Sequence, residues 1–572
     1  MEATTTHDDV PPPTGHIGAD STGTDSAGQV TKRSTNPTVV GHLDDFEVAA
    51  MKMAKVDGHR LCIVRTSEGV FALDQACPHE GYGLTTGELD GDLITCAWHN
   101  WKFRVSDGRC VRGEEDVRTH PVTVADDGTL LVAFSQPDPA ELRPKLTESL
   151  RSGIERQYVG QIARDVVRLL RADANPGELI WEAVAYGAPR AEFGWGHSIA
   201  SLTDCLAMVE QYCDDDRALP IVQAIAGVAE SERGRPVRPL ADPLDVLPAD
   251  PRAEFRRVVE VEDIDGAQAV LRSAIHHGAT ADELRPWFTD VVSDHHLSYG
   301  HGAIYSQKAF QLLDRIGWDR ADTVLPHLVP TLVHGTREDK LPYMTLFHRG
   351  VAQLDLRALA ERAREPDPSW QDDGRLLAAL LGGDRTEAAL ATGAAIGTGA
   401  SLDAVLDVVS IAVSERMLRY DPAGERDFHD DFGWLDITHG LTYANAVRWH
   451  AADVPVTPDL VRLVLWTAFL ANWTGRHEWH TTVGERAEVE PRSSDLGEYG
   501  RSLQHEALLD GTTAFIVHAH AVKMSTAATE EAVRLGSLVP LDATARFMAA
   551  PKLERFVAAT VTRSIDFLSG RT

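Results

Sequence analysis

Cysteine is scarce in this chain of 572 residues, which has only six, and no apolar run approaches the length of a membrane span. Residues Met1–Pro37 lack the basic start and the apolar core of a secretory signal. We therefore expect a cytoplasmic protein that does not span a membrane. In that compartment, clustered cysteines bind metal ions more often than they form disulfides.

Positive charge is also scarce, since 55 lysines and arginines stand against 86 acidic residues and leave a net charge of −31. An acidic surface repels phosphate backbones, so we expect no nucleic-acid partner. Residues Met1–Pro37 are rich in Pro, Thr, Ser, Gly and Asp. This composition predicts a disordered tail over residues 1–37.

The rest of the chain divides into two regions with different patterns of apolar residues. Residues 38–136 consist of short β-type runs that are separated by turns, and this pattern predicts a small antiparallel β domain. From residue 137 to 572, apolar residues recur at three- and four-residue spacing, which predicts one large all-helical domain. The predicted fold is thus multidomain, with the boundary in the proline-bearing linker Ser135–Pro144. Three Asp-Gly turns mark the β region: Asp90-Gly91, Asp107-Gly108 and Asp127-Gly128.

Two cysteines and two histidines lie close together in the β region, in the pattern C-x-H-x16-C-x-x-H: Cys77, His79, Cys96 and His99. Two thiolates suit one iron of a [2Fe–2S] cluster, and two imidazoles on the other iron raise its reduction potential. A structural Cys2His2 zinc site would instead pair its cysteines and its histidines. Four unrelated loop residues are the remaining alternative. The alternation of Cys and His favours the iron–sulfur cluster.

The β region resembles Rieske ferredoxins and the Rieske domains of ring-hydroxylating oxygenases. The resemblance lies in "CPHEG", "CAWHNWKF" and "DGRCVRGEEDVRTHPV". It implies that Cys77, His79, Cys96 and His99 hold a [2Fe–2S] cluster, which an external reductase reduces. The extra loop cysteines of respiratory-complex Rieske proteins are absent from these segments, which points to the class that passes single electrons to an oxygenase.

The helical region repeats a His-Gly-x-x-Tyr motif, once from His301 to Tyr305 and once from His439 to Tyr443. Looser copies surround His197 and the pair His518 and His520. Four helix-borne histidines at similar places predict a four-sided internal metal site, although hydrogen-bonded core histidines are the alternative. Imidazoles suit iron, copper or zinc, and a nearby Rieske cluster makes a redox metal, non-haem iron, the expected one.

The helical region is also similar to the questin-oxidase-like proteins, which act on anthraquinone-type polyketides. The local match is "HAHAVKMSTAA", which is like that family's histidine–x–x–lysine helix. The resemblance implies a mononuclear iron with five protein ligands, one of them a carboxylated lysine: His197, His301, His439, His520 and Lys523. His518 is an alternative to His520, because residues two apart on a helix do not face the same ion.

Three further sets of residues require an interpretation. His296 and His301 have the H-x4-H spacing of the iron site in ring-hydroxylating oxygenases, but the preceding Asp spacing does not fit. The stretch "HEWH", His477–His480, lacks the spacing of zinc proteases and is expected at the surface or near a ligand. Cys205 and Cys213 are expected to be core residues on one helix face.

Together these patterns predict a self-contained oxygenase. The Rieske cluster would supply electrons to the helical-domain iron for dioxygen-dependent oxidation of a small organic substrate, aromatic or polyketide-like. A homo-oligomer is expected if a neighbouring subunit must bring the cluster close to the iron. The alternatives are a Rieske electron carrier fused to a metal-free helical binding module, and a zinc-dependent hydrolase. No catalytic acid or base is assigned from the sequence.

Overall fold

The computed structural model describes residues 36–135, 138–426, 433–474, 485–512, 514–552 and 557–570. The chain divides into two compact units, between Asp138 and Pro139. Most of the expected tail, residues 1–35, lies outside the described residues, and so does the stretch His477–His480.

The first unit is built from antiparallel strands in three small sheets, with the orders β1-β11-β10, β2-β3-β4-β9 and β5-β6-β7-β8. The eleven strands of its described part are β1 Thr38–His42, β2 Ala50–Val56, β3 His59–Arg65, β4 Val70–Asp74, β5 Glu88–Asp90, β6 Leu93–Thr95, β7 Lys102–Arg104, β8 Cys110–Arg112, β9 Thr119–His120, β10 Val122–Val124 and β11 Thr129–Val132.

Strand β3 separates two hydrophobic cores of the first unit. Leu61 and Ile63 pack into one core, whereas Cys62 and Val64 pack into the other. Successive side chains of a strand point to opposite faces, so this central strand is apolar on both. All three predicted Asp-Gly turns connect strands, with Gly91 between β5 and β6, Gly108 between β7 and β8, and Gly128 between β10 and β11.

The second unit is helical. Its described part contains twenty-one α-helices: α1 Pro139–Arg156, α2 Val159–Arg171, α3 Pro176–Gly187, α4 His197–Met208, α5 Ala218–Ser231, α6 Pro251–Glu260, α7 Ile264–His276, α8 Ala281–Asp294, α9 His301–Ile316, α10 Ala321–His334, α11 Thr345–Val351, α12 Leu356–Arg364, α13 Arg375–Leu381, α14 Arg385–Thr398, α15 Leu402–Arg419, α16 Trp434–Ala451, α17 Pro458–Trp473, α18 Leu496–Ala507, α19 Phe515–Leu535, α20 Val539–Ala549 and α21 Val557–Leu568.

A β unit followed by a large helical unit confirms the predicted fold class. The structure differs from the sequence prediction at Pro144, which lies inside α1 rather than in a linker. A proline there removes one intrahelical hydrogen bond, and the burial of Leu146, Leu150 and Ile154 against the core offsets that loss. No helix in the described part of the chain is both long enough and apolar enough to cross a membrane.

Four helices of the second unit form a closed ring, in which α4 contacts α9, α9 contacts α16, α16 contacts α19, and α19 contacts α4. The glycines of the His-Gly-x-x-Tyr motif permit close packing around this ring. A Cβ atom at Gly440 would lie 2.7 Å from the Val413 side chain, and one at Gly302 would lie 3.0 Å from Leu297. The expectation for Cys213 is wrong, because α4 ends at Met208 and Cys213 is exposed, while Cys205 is buried as expected.

Candidate metal centres

The four candidate cluster ligands of the first unit lie on two loops. Cys77 and His79 lie between β4 and β5, and Cys96 and His99 lie between β6 and β7. The rings of His79 and His99 are neighbours, with 4.4 Å between their centroids. The two loops therefore bring both pairs of donors to one end of the β5–β8 sheet.

The two loops have the same backbone hydrogen bonds. The carbonyl oxygen of Cys77 accepts from the N–H of Gly81 at 2.8 Å, and that of Cys96 accepts from the N–H of Asn100 at 3.2 Å. The residue that closes each turn has a left-handed backbone, with φ of +76° at Gly81 and +59° at Asn100. Glycine and asparagine are the residues that tolerate this conformation best. Asn100 was not identified from the sequence, although an asparagine four residues after a ligand cysteine was the available signal.

The thiols and the imidazoles differ in exposure. Cys77 and Cys96 are buried, whereas His79 is half-buried and His99 is exposed. Burial raises the pKa of the Cys77 thiol to about 12, a net value to which the neighbouring Cys96 thiol contributes and which the backbone hydrogen bond from His79 reduces. A bound metal ion would reverse this effect, because a coordinating thiol is deprotonated. The two buried cysteine sulfurs and the two more exposed histidine nitrogens fit the donor set of a Cys2His2-ligated [2Fe–2S] cluster.

In the second unit, four imidazoles from four helices meet inside the ring of α4, α9, α16 and α19. The Nε2 atoms of His301 and His439 are 2.7 Å apart. The Nε2 atom of His520 lies 3.3 Å from that of His439 and 3.3 Å from that of His197. Nitrogens that bind one ion at about 2.1 Å lie roughly 3 Å from one another. The donor atoms of His197, His439 and His520 all lie within 4.8 Å of one another, so these three have the spacing of ligands around a single ion, and His301 adjoins them through His439.

The protonation state of these rings favours a cation between them. Burial lowers the pKa of all four well below the ordinary value, and the charge of Lys523 lowers it further, so the rings are neutral. The Nδ1 atom of His520 donates a hydrogen bond to the Ile516 carbonyl at 2.6 Å, which leaves a lone pair on its Nε2 atom. Lone pairs that converge without a cation repel one another, so the donor set fits a metal ion.

Lys523 lies one helical turn after His520 and is 1% exposed. Its amine has no hydrogen-bond partner in the described part of the chain, and burial lowers its pKa to about 7. The acid whose charge acts on it, Asp204, is already paired with the Lys308 amine at 2.6 Å. A buried amine without a partner is costly, and such groups occur at functional sites.

A cavity of about 430 Å³ lies beside His301 and Tyr305. Its wall also includes Phe193, Trp195 and His334 together with three glycines, and no Asp, Glu, Lys or Arg among the described residues lines it. The Tyr305 hydroxyl lies 3.0 Å from the Nδ1 atom of His197, and the Tyr305 ring stacks on His301. The hydroxyl-bearing residues Ser298 and Thr331 also line it, so the lining is uncharged and partly polar, and the volume is that of a small-molecule site.

Two other histidines that the sequence analysis considered lie apart from the four. His518 faces the Ala507 carbonyl and Asp510 on a different side of α19. The Nε2 atom of His296 lies 3.2 Å from a carboxylate oxygen of Glu338, and its ring packs against Tyr443. The structure thus brings together the imidazoles of the predicted set and neither of these alternatives.

Comparison with known proteins identifies the first unit. Residues 36–124 match the family described as Rieske [2Fe-2S] domain. The ferredoxin component of the naphthalene 1,2-dioxygenase system of Pseudomonas aeruginosa is 30% identical over 71 residues, which cover 12% of this chain and 68% of that protein. The chain therefore belongs, through this segment, to the Rieske [2Fe–2S] family, and its first unit is an electron-transfer module.

Two larger relatives also match part of the chain. Cholesterol 7-desaturase nvd of Xenopus laevis is 46% identical over 57 residues, which cover 10% of this chain and 13% of that protein. The oxygenase component of 3-ketosteroid-9-alpha-monooxygenase of Rhodococcus rhodochrous is 30% identical over 126 residues, which cover 20% of this chain and 33% of that protein. The chain thus spans a third or less of the length of these two oxidoreductases.

Proposed function

We propose that the chain is a Rieske-coupled non-haem iron oxygenase. In this proposal an external reductase supplies electrons to the N-terminal unit, and the helical unit oxidises a small organic substrate with dioxygen. The observation that carries the proposal is the convergence of the Nε2 atoms of His197, His301, His439 and His520 within hydrogen-bond distance of their neighbours. When bound, the cluster would supply single electrons and the iron would bind dioxygen.

Lys523 would complete the iron site as a carboxylated side chain, as the similarity to questin-oxidase-like proteins implies. Its neutral amine would add to carbon dioxide, forming a C–N bond and releasing one proton. The product is an anionic carbamate, whose oxygens are ligands for a hard cation. This modification would prevent the side chain from becoming an ammonium, which repels a metal ion, and would supply an oxygen ligand instead.

The cavity beside His301 would hold the substrate. Aromatic rings and glycine backbone line it without a full charge among the described side chains, which suits a flat, neutral aromatic or polyketide-like molecule. With the Nε2 atom of His197 turned to the ion, its Nδ1 atom carries the proton and donates to the Tyr305 oxygen. The Tyr305 hydroxyl hydrogen is then free to bind a substrate oxygen in the cavity.

Iron analysis of the purified full-length chain tests the proposal. We expect three irons per chain, two in the cluster and one in the helical unit, and loss of the third in the double variant His301→Ala/His439→Ala. His450→Ala is the matched control, because His450 is also buried on α16 but is bound by Thr289 and the Ala303 carbonyl. This control should retain three irons.

A Rieske electron carrier with a metal-free helical module is the second candidate. The similarity to a ferredoxin favours it, since that relative is named as one component of a larger dioxygenase system. Two irons per wild-type chain would support the carrier and contradict the oxygenase. Zinc in the helical unit without oxygen consumption would indicate the hydrolase instead.

A further inference from the structure

The backbone immediately before His301 adopts an unfavourable conformation. Three consecutive residues are left-handed, with φ of +46° at Ser298, +57° at Tyr299 and +87° at Gly300. Only glycine adopts this region without cost, so Ser298 and Tyr299 must be held by their surroundings. His301, one of the four candidate ligands, begins α9 directly after them.

Residues 336–339, which follow α10, hold the turn by hydrogen bonds. The Ser298 N–H donates to the Thr336 carbonyl at 2.9 Å, and the Thr336 N–H donates to the Ser298 hydroxyl at 2.8 Å. The Glu338 N–H donates to the His296 carbonyl at 2.9 Å. The two segments thus form a small backbone clamp at the start of α9.

The side chain of Glu338 adds a direct hydrogen bond from this clamp to one of the strained residues. It is 2% exposed, and its Oε1 atom accepts a hydrogen bond from the N–H of Tyr299 at 2.9 Å. Its Oε2 atom lies 3.2 Å from the Nε2 atom of His296. A buried carboxylate is costly unless it is bound, and here one oxygen binds the backbone of a left-handed residue two positions before His301.

We propose that Glu338 is a positioning residue, which fixes the imidazole of His301 by holding the left-handed turn at Tyr299. The proposal rests on the proposed function, because it requires a metal ion at the four histidines. Loss of the Glu338 oxygen would let Tyr299 relax towards a right-handed conformation. The first residue of α9 would then move away from His439, whose Nε2 atom lies 2.7 Å from that of His301.

The test compares Glu338→Ala with Glu338→Gln in the full-length chain. Glutamine retains an oxygen for the Tyr299 N–H, and alanine does not. Affinity for Fe²⁺ is measured by anaerobic competition with a chromophoric chelator, together with the iron content per chain. We expect Glu338→Ala to weaken binding of the third iron by about 10–100-fold, the usual range for residues that orient ligands, and Glu338→Gln to weaken it much less.

Asp290→Asn is the matched control. Asp290 is also a buried acid, and it binds Arg252 through both oxygens at 2.6 and 2.7 Å, on α8 rather than in the clamp. This variant should lower stability without changing the affinity for iron. If Glu338→Ala does not fold, Glu338→Asp replaces it, because the shorter side chain withdraws the oxygen from the Tyr299 N–H.

Three results would overturn the positioning role. The first is an affinity for Fe²⁺ in Glu338→Ala that equals that of the wild type. The second is an equal loss of affinity in Glu338→Ala and Glu338→Gln, because glutamine keeps the required acceptor. The third is an equal loss in Asp290→Asn, which would mark a general effect of stability. A wild-type chain without a third iron would instead overturn the proposed function itself, so the two failures are distinguishable.

Discussion

At the scale of single residues, the packing around the histidines depends on a glycine at the N-cap of α9. Gly300 has a φ of +87°, and a Cβ atom there would lie 2.4 Å from the ring of Tyr443. Gly278, at the end of α7, has nearly the same φ, +86°, but a Cβ atom there would meet nothing within 4 Å. A comparison of substitutions at these two positions therefore separates the cost of a left-handed backbone from the cost of steric overlap.

We expect Gly278→Ala to lower the free energy of unfolding by about 1 kcal/mol, the cost of a left-handed alanine. Gly300→Ala should cost a further 1–3 kcal/mol or so, because the added methyl group must displace the buried Tyr443 ring. Urea denaturation of the two variants beside the wild type measures both values. Equal costs would show that the ring moves aside freely.

At the scale of elements, the end of α8 is joined to the end of α6 and to the segment after α10 through His295. Its Nδ1 atom lies 2.9 Å from an Asp339 oxygen and its Nε2 atom 2.6 Å from a Glu260 oxygen. Burial disfavours a charged ring, yet the two carboxylates outweigh it and raise the pKa of His295. Glu260 is also faced by Arg337 and Lys340, which hold it ionised.

This ion pair predicts a pH dependence of stability. A histidine whose pKa is raised on folding stabilises the folded state fully below its unfolded pKa of about 6.5, and this contribution is lost as pH rises through the folded pKa. The free energy of unfolding of the wild type should therefore exceed that of His295→Gln by more at pH 6 than at pH 9. Urea titrations of both proteins at each pH give the difference, and a constant difference would contradict the prediction.

At the scale of the whole molecule, the two units have separate hydrophobic cores. The helical core extends from Leu146 to Phe547, and the two β cores contain residues of the first unit alone. All candidate ligands of the iron–sulfur cluster lie in the first unit, and all those of the histidine site lie in the second. Removal of one metal centre should therefore leave the other in place.

We expect Cys96→Ser to remove the visible absorption of the cluster and its two irons, while the iron of the helical unit is retained. The double variant His301→Ala/His439→Ala should show the opposite, an intact cluster spectrum with the third iron lost. Metal analysis and visible spectra of the purified variants measure both. Loss of both centres in either variant would show that the units depend on one another to fold.

The sequence by itself determined the β unit and its ligand pattern, because Cys77, His79, Cys96 and His99 lie on two short loops whose turns depend on local residues. It also indicated the helical histidines through a repeated motif. It did not determine that their nitrogens converge, since His197 and His520 are 323 positions apart and their approach depends on how four helices rotate and pack. The contact of Glu338 with Tyr299 likewise joins two distant segments, so only the tertiary structure decided it.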